Sequence, residues 1–226
     1  MPICITFGTK EYQQAIDKLH KSMSRFMYTK TFNEKSVEML FDAYPEHLYS
    51  SRGYGWWLWK PYLIDYILSI IDEGEYVMYL DSTIECLKNP NDLIKEGENI
   101  KLFHNGQRHI DWCKSETYYD MGVVCMPDQM QANAAIQIYR NTPENRAFVQ
   151  EYFNLCSNLM LVNDECNPDY QLSGFKAHRH DQSILTNLAV KHNIKLTPSP
   201  CQWGMGANSY FNHHRTIWTF IKSFWH

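Results

Sequence analysis

The stretch from Pro61 to Asp81 constrains the fold more than any other part of the chain. Tyr62 to Ile71 is apolar nearly all round and long enough for a helix, which predicts a buried helix opened by Pro61 and stopped at the Glu73-Gly74 turn. Tyr76-Val77-Met78-Tyr79-Leu80 follows as an unbroken apolar run, the pattern of a strand covered on both faces inside a parallel sheet. The same alternation recurs on either side. Residues 3–7 read as a strand running into Gly8-Thr9, and Tyr12, Ala15, Ile16, Leu19, Met23, Phe26 and Met27 recur at helical spacing over residues 10–27. Ile100 to His104 predicts a strand with Asn105-Gly106 as a hairpin-type turn, and Ala134 to Tyr139 a further strand. Thr142-Pro143-Glu144 starts a helix reaching about Ser157, Asp181 caps a last helix, and Ile194 to Thr197 returns as a strand. Alternating strands and helices at these intervals predict an α/β fold with a mainly parallel central sheet flanked by helices.

Composition narrows the class. At 226 residues the chain can bury a core without disulfide or structural metal, and one continuous domain is the simplest account. Its 44% hydrophobic and 20% charged fractions exclude disorder, collagen and coiled coil, and a net charge of −4 argues against a nucleic-acid binder with a broad basic face. Met1 to Phe7 shows no secretory pattern, and the longest apolar run is interrupted by Asp65, so no transmembrane segment and a cytoplasmic location are expected. Seven cysteines with no CxxC pair read as reduced thiols, with an approach of Cys156 and Cys166 across a loop as the alternative. The aromatic fraction of 15% suits both a core and a sugar-stacking cleft.

In open α/β sheets ligands bind beyond the carboxyl ends of the strands. The first such end, Gly8-Thr9-Lys10-Glu11-Tyr12, carries neither a dinucleotide fingerprint nor a P-loop. The second is Asp81-Ser82-Thr83, where a carboxylate closes a core strand; the plain alternative is a cap or turn aspartate. Upstream, Arg52-Gly53-Tyr54-Gly55-Trp56-Trp57-Leu58-Trp59-Lys60-Pro61 sets two cations in an aromatic surround, partly explained as a hydrophobic staple for the helix. His178-Arg179-His180-Asp181-Gln182-Ser183 gathers polar groups at a helix start, and His213-His214-Arg215 offers imidazoles to a metal, although such a pair is commonly a surface feature.

These segments, in order, resemble the GT-A class of nucleotide-sugar-dependent glycosyltransferases, in particular small enzymes of bacterial polysaccharide clusters and large DNA viruses. The resemblance rests on Gly53–Pro61, Tyr79–Thr83 and His178–Ser183. It implies a single GT-A-like domain over 1–226, with a donor-nucleotide half at about 1–105 and an acceptor half at about 106–226. It also implies a UDP-sugar donor, a glycan acceptor and a divalent cofactor, Mn²⁺ or Mg²⁺. Asp81 matches the leading Asp of a DxD-like motif, with Thr83 where the second Asp would stand. Ser82 would line the donor ribose, and His213 or His214 would complete the metal shell. Arg52 and Lys60 would lie near the donor, and Asp181 and Gln182 would reach the transferred sugar. Gln131 and Asn133 would contact its hydroxyls from a loop, and Thr6, Phe7, Gly8 and Tyr12 would surround the nucleobase.

An inverting transfer, the form favoured here over a retaining one, needs a carboxylate base. Asp181 is the first choice, with Asp111, Glu116 and Asp120 in reserve beside the acceptor candidates Trp112, Lys114, Tyr118 and Tyr119. Trp112, Tyr118, Tyr119 and Trp203 are expected to line the acceptor side of the cleft. Thr83 in place of an acid motivates the alternative, a catalytically inactive carbohydrate-binding or scaffold domain of the same fold.

Overall fold

The computed structural model describes residues 2–50, 52–95, 97–124 and 126–214. Its strands are β1 (Ile3–Phe7), β2 (Tyr28–Phe32), β3 (Tyr76–Leu80), β4 (Ile84–Cys86), β5 (Ile100–Arg108), β6 (Met130–Arg140), β7 (Thr197–Pro198) and β8 (Phe211–His213). Six of them form the central sheet in the order β2-β1-β3-β6-β5-β7, while β4 and β8 make a separate antiparallel pair. β1 is parallel to β2 and to β3, β5 is parallel to β7, and β6 is antiparallel to both of its neighbours. Five strands therefore run one way and β6 alone opposes them, which fulfils the expectation of a mainly parallel sheet. The parallel register Ile5↔Tyr79 brings the carboxyl ends of β1 and β3 to one edge.

Side-chain alternation explains why β3 is apolar throughout. Val77 and Tyr79, with Ile5 and Phe7, face a core built from α2 (Trp59–Ile70), α4 (Pro143–Cys156) and α5 (His180–Lys191). Met78 and Leu80, with Cys4, face Leu19 and Met23 of α1 (Gln13–Met23) and the β4–β8 pair. A short helix, α3 (Ser115–Asp120), packs outside the sheet.

Several boundaries differ from expectation. Residues 10–12 form a 3-10 turn before α1, which ends at Met23. α2 starts at Trp59, so Pro61 is its third residue, still among the positions whose N–H has no partner within the helix. Asn105-Gly106 makes no hairpin: β5 continues to Arg108 through register shifts, with Gly106 at φ +80°. Gln131–Asn133 belong to β6 and not to a preceding loop. Asp181 lies inside the first turn of α5, whose N-cap is Arg179. The strand expected at 194–197 shrinks to β7.

The cysteines described, Cys4, Cys86, Cys113, Cys156, Cys166 and Cys201, are free thiols. Cys125, Arg215 and the apolar stretch 216–225 lie outside the described residues. No helix among the described residues is long and apolar enough to cross a membrane.

Candidate active site

Alternation places Asp81 on the same face of β3 as Tyr79, toward α2 and α5. There Lys60 of α2 sits between two carboxylates, with Nζ at 2.7 Å from Asp181 Oδ2 and 3.8 Å from Asp81 Oδ1. The side chains of Lys60 and Asp181 are only 3% and 6% exposed, whereas that of Asp81 is 29% exposed, so Asp81 is the member of the trio that meets solvent. Two phenols complete the cluster: Tyr79 Oη donates to Asp81 Oδ1 at 2.7 Å, and Tyr152 Oη from α4 donates to Asp181 Oδ2 at 3.3 Å. Burial opposes the charge on Lys60, but Asp181 and Asp81 outweigh it and hold the ammonium above its ordinary range. Burial pushes the Asp181 carboxyl up, more than Lys60 draws it down. The result is a fixed cation and a carboxylate of enhanced proton affinity behind an accessible carboxylate.

The aromatic segment before α2 forms a left-handed helical turn. Gly53, Tyr54, Gly55, Trp56 and Trp57 have φ of +59°, +48°, +82°, +56° and +61°. Trp56 N–H donates to Arg52 O at 2.9 Å and Trp57 N–H to Gly53 O at 3.2 Å. Left-handed backbone costs roughly 1–2 kcal/mol for each residue that is not glycine, and such strain persists where packing over-determines it. Here the packing is against the start of α5. The Trp57 ring stacks on His180 at 4.9 Å and Trp56 lies 5.2 Å from the same imidazole, itself at φ +52°. His180 Nε2 meets Asp164 Oδ1 at 3.0 Å, and Arg52 Nε lies 3.4 Å from Asp164 Oδ2. The strained turn thus braces the residue adjacent to Asp181.

A β-carbon on Gly55 would overlap the Phe41 ring. Gly55→Ala is accordingly expected to cost about 2–4 kcal/mol in urea unfolding, the sum of left-handed strain and overpacking. A loss below about 1 kcal/mol would mean that the turn is not held this way in solution.

The remaining sequence candidates distribute as follows. Phe7 stacks on Trp59 at 4.1 Å, and Thr6 Oγ1 is buried without a hydrogen-bond partner. Gly8 bonds through its N–H to Phe32 O at 3.1 Å; a side chain there would meet Ile16. Tyr12 is partly exposed; burial raises its pKa, and the negative charges of Glu11 and Asp81 add to the effect. Gln182 Nε2 donates to Gln131 Oε1 at 2.9 Å, and Asn105 Nδ2 to the same oxygen at 3.3 Å. Asn133 turns to Ser199 Oγ at 3.0 Å. Gln131 and Asn133 are fully buried, with their amides engaged inside the protein. Arg52 joins the His180–Asp164 group instead of Asp81, and Ser82 is buried.

Of the reserve bases, Asp111 is bridged by Arg108 and Lys176, and Glu116 accepts from Asn167 N–H and Gln171 Nε2. Lys114 is fully buried, with Nζ bonded to the Asn163 and Glu165 carbonyls and to Asn163 Oδ1. Tyr118 is also buried, edge-on to His109, so it forms no cleft wall. Trp112 carries Arg179 over its ring at 4.2 Å, Trp203 lies beside His213 at 5.2 Å, and Tyr119 is exposed.

The β4–β8 pairing sets His213 opposite Ile84, three residues beyond Asp81, and His214 N–H donates to Thr83 O at 3.0 Å. The His214 ring is engaged by Glu85 at 2.7 Å and Lys18 at 3.1 Å. Among the described residues, no three His, Cys, Asp or Glu side chains converge to hold a metal. Asp81, the accessible carboxylate of the cluster, fits an ion that takes its other ligands from a bound diphosphate, since Mg²⁺-like ions commonly use one or two protein ligands plus phosphate oxygens.

No protein-family model matches the sequence, and no curated protein matches it. Solved structures do. The apo form of mouse xyloside xylosyltransferase 1 superposes with a TM-score of 0.53 at 10% identity, covering 96% of this chain and 98% of that one. A glycosyltransferase involved in glycosylation of the major capsid of PBCV-1 gives 0.56 at 9% identity, covering 99% and 98%. The bifunctional glycosyltransferase WbbM gives 0.57 at 10% identity over 96% of this chain and 46% of its own. The chain shares its fold with these glycosyltransferases. In this GT-A-like framework the Lys60–Asp81–Asp181 cluster occupies the carboxyl edge of the parallel strands, where the architecture exposes loops and helix starts to ligands.

Proposed function

We propose that this chain is a glycosyltransferase that moves a sugar from a nucleoside-diphosphate donor, a UDP-sugar, to a hydroxyl of a glycan acceptor. The observation that carries the reading is the buried Lys60 held between Asp181 and the accessible Asp81 at that strand edge. Breaking the bond from the anomeric carbon to phosphate places charge on the departing diphosphate. Lys60 supplies a fixed positive charge nearby, and Asp81 would hold a divalent ion. That ion, Mn²⁺ or Mg²⁺, would contribute neutralisation of the diphosphate. Phe7, Gly8 and Tyr12 form the nucleobase side, at the end of β1 beside Asp81.

Asp181 acts as the base in an inverting transfer. Its raised proton affinity suits it to accept the acceptor's proton. Incubation with UDP- and GDP-sugars, with and without Mn²⁺, is expected to release the nucleoside diphosphate. Asp81→Ala is expected to lose at least about 100-fold in rate, as enzymes do on losing a charge-stabilising group. No donor binding under any condition, or a fully active Asp81→Ala, would sink the reading. Product anomeric configuration, read by proton NMR, tests inversion.

The second reading, an inactive carbohydrate-binding domain, draws on the sealed Lys60–Asp181 pair. Sugar affinity without release of nucleoside diphosphate from any donor would favour it.

A further inference from the structure

A groove of about 740 Å³ opens between α3 and the segment 160–170, within the usual range of about 300–1,000 Å³ for small-molecule sites. We propose that this groove binds uncharged sugar units of the glycan acceptor, distal to the hydroxyl that reacts; this rests on the glycosyl-transfer reading above. Two tyrosines from opposite walls stand almost free in it, Tyr119 at 87% and Tyr170 at 73% exposure. Exposed aromatic rings of this kind offer flat apolar faces to the C–H side of a pyranose.

The lining carries three carboxylates, Glu116, Asp120 and Glu165, and no Lys or Arg. Such a surface repels phosphates and uronic acids while accepting hydrogen bonds from hydroxyls.

The groove is built, not incidental. Buried Lys114 lies behind it and spends three hydrogen bonds on the opposite wall, at 3.0 Å to Asn163 O, 2.8 Å to Asn163 Oδ1 and 2.8 Å to Glu165 O. Glu116 reaches across to Asn167 N–H at 2.7 Å and Gln171 Nε2 at 2.9 Å, and Ser115 N–H donates to Gln171 Oε1 at 2.9 Å. These bonds fix the spacing between the walls before any ligand arrives, which lowers the ordering cost of binding.

The groove also adjoins a second cavity. Glu165 lines both it and a second cavity of about 440 Å³ that includes Trp56 and Asp164. Asp164 is bonded to His180, the neighbour of Asp181. The groove and the second cavity therefore share a wall at Glu165, on the side of the molecule where Asp164 meets the start of α5.

The test is isothermal titration of the full chain, without donor, using maltose, lactose, cellobiose and N,N′-diacetylchitobiose. A glucuronic-acid disaccharide and spermidine serve as the anionic and cationic probes. At least one neutral disaccharide is expected to bind, and Tyr119→Ala and Tyr170→Ala each to weaken it about tenfold. Both rings are exposed, so the melting temperature should stay unchanged. Absence of neutral-sugar binding, unaltered affinity in both tyrosine variants, or displacement of the sugar by spermidine overturns the proposal. Sugar binding that depends on the tyrosines, in a protein that cleaves no donor, removes the transferase reading and leaves the groove as a glycan site. Donor cleavage without sugar binding does the reverse.

Discussion

Lys60→Met is expected to cost about 3–5 kcal/mol of unfolding free energy, because it strands the buried Asp181 carboxylate without its cation. The pair is closed off from water on both sides, with Lys60 and Asp181 at 3% and 6% exposure, so solvent cannot replace the missing charge. Asp181 would regain neutrality only by taking up a proton, and the base proposed for transfer would be lost with it. Asp181→Asn removes the charge but keeps the shape and a hydrogen-bonding group toward Tyr152, so the double variant isolates the pair. Its loss in urea unfolding should fall short of the sum of the single losses by about 1–3 kcal/mol. Strict additivity, or a Lys60→Met protein within about 1 kcal/mol of wild type, would show that the ion pair is not formed in solution.

Acidification is expected to destabilise the protein steeply between pH 6.5 and 4, before ordinary carboxylates titrate. The cause is a set of buried imidazoles that the fold keeps neutral. Burial lowers His109 from 6.5 to about 4, only partly offset by Asn187, whose Oδ1 lies 2.9 Å from Nε2. Its Nδ1 is buried without a partner, so a second proton there finds no acceptor. Burial likewise lowers His180 to about 4 despite Asp164, and holds His178 well below its ordinary range beside Lys114.

In the unfolded chain these rings bind protons near pH 6.5, so the unfolded state holds more protons throughout the window. The stability is present above pH 6.5 and is lost as the pH falls toward the folded values. His109 alone accounts for roughly 3 kcal/mol. Melting temperatures from pH 8 to 4 should show the decline, and His109→Gln should flatten it. A wild-type curve level from pH 7 to 4.5 would rule this account out.

Asp81 is visible in the sequence as a carboxylate that closes an apolar strand, a pattern that equally fits a cap or turn aspartate, and Asp181 as one of several polar groups at a helix start. Lys60 stands out as a cation in an aromatic run. Their mutual distances are not legible: Lys60 and Asp181 are separated by most of the chain and meet only because α2 and α5 cover the same face of the sheet. Tyr79 and Tyr152 read as ordinary core rings, and nothing local says which atom each phenol will reach.

The segment from Gly53 to Trp57 reads as a staple, since glycines permit left-handed backbone but do not demand it of Tyr54, Trp56 and Trp57; the stacking on His180 demands it. Asn105-Gly106 carries the composition of a hairpin, yet β6 is long enough to keep pairing past it, and the register shifts in β5 absorb the extra residues.

The layers are legible in the amino-acid order: which segments are buried on two faces, which on one, and that strands and helices alternate into a mainly parallel sheet. Those properties follow from periodicity, which each segment carries alone. The direction of β6, the sealing of Lys60 against Asp181, the exposure of Asp81 and the wall-to-wall spacing of the Tyr119–Tyr170 groove were decided only by tertiary structure. Each depends on contacts between residues distant in the chain, and their energies are set by burial and distance, two quantities that exist only after the elements have packed.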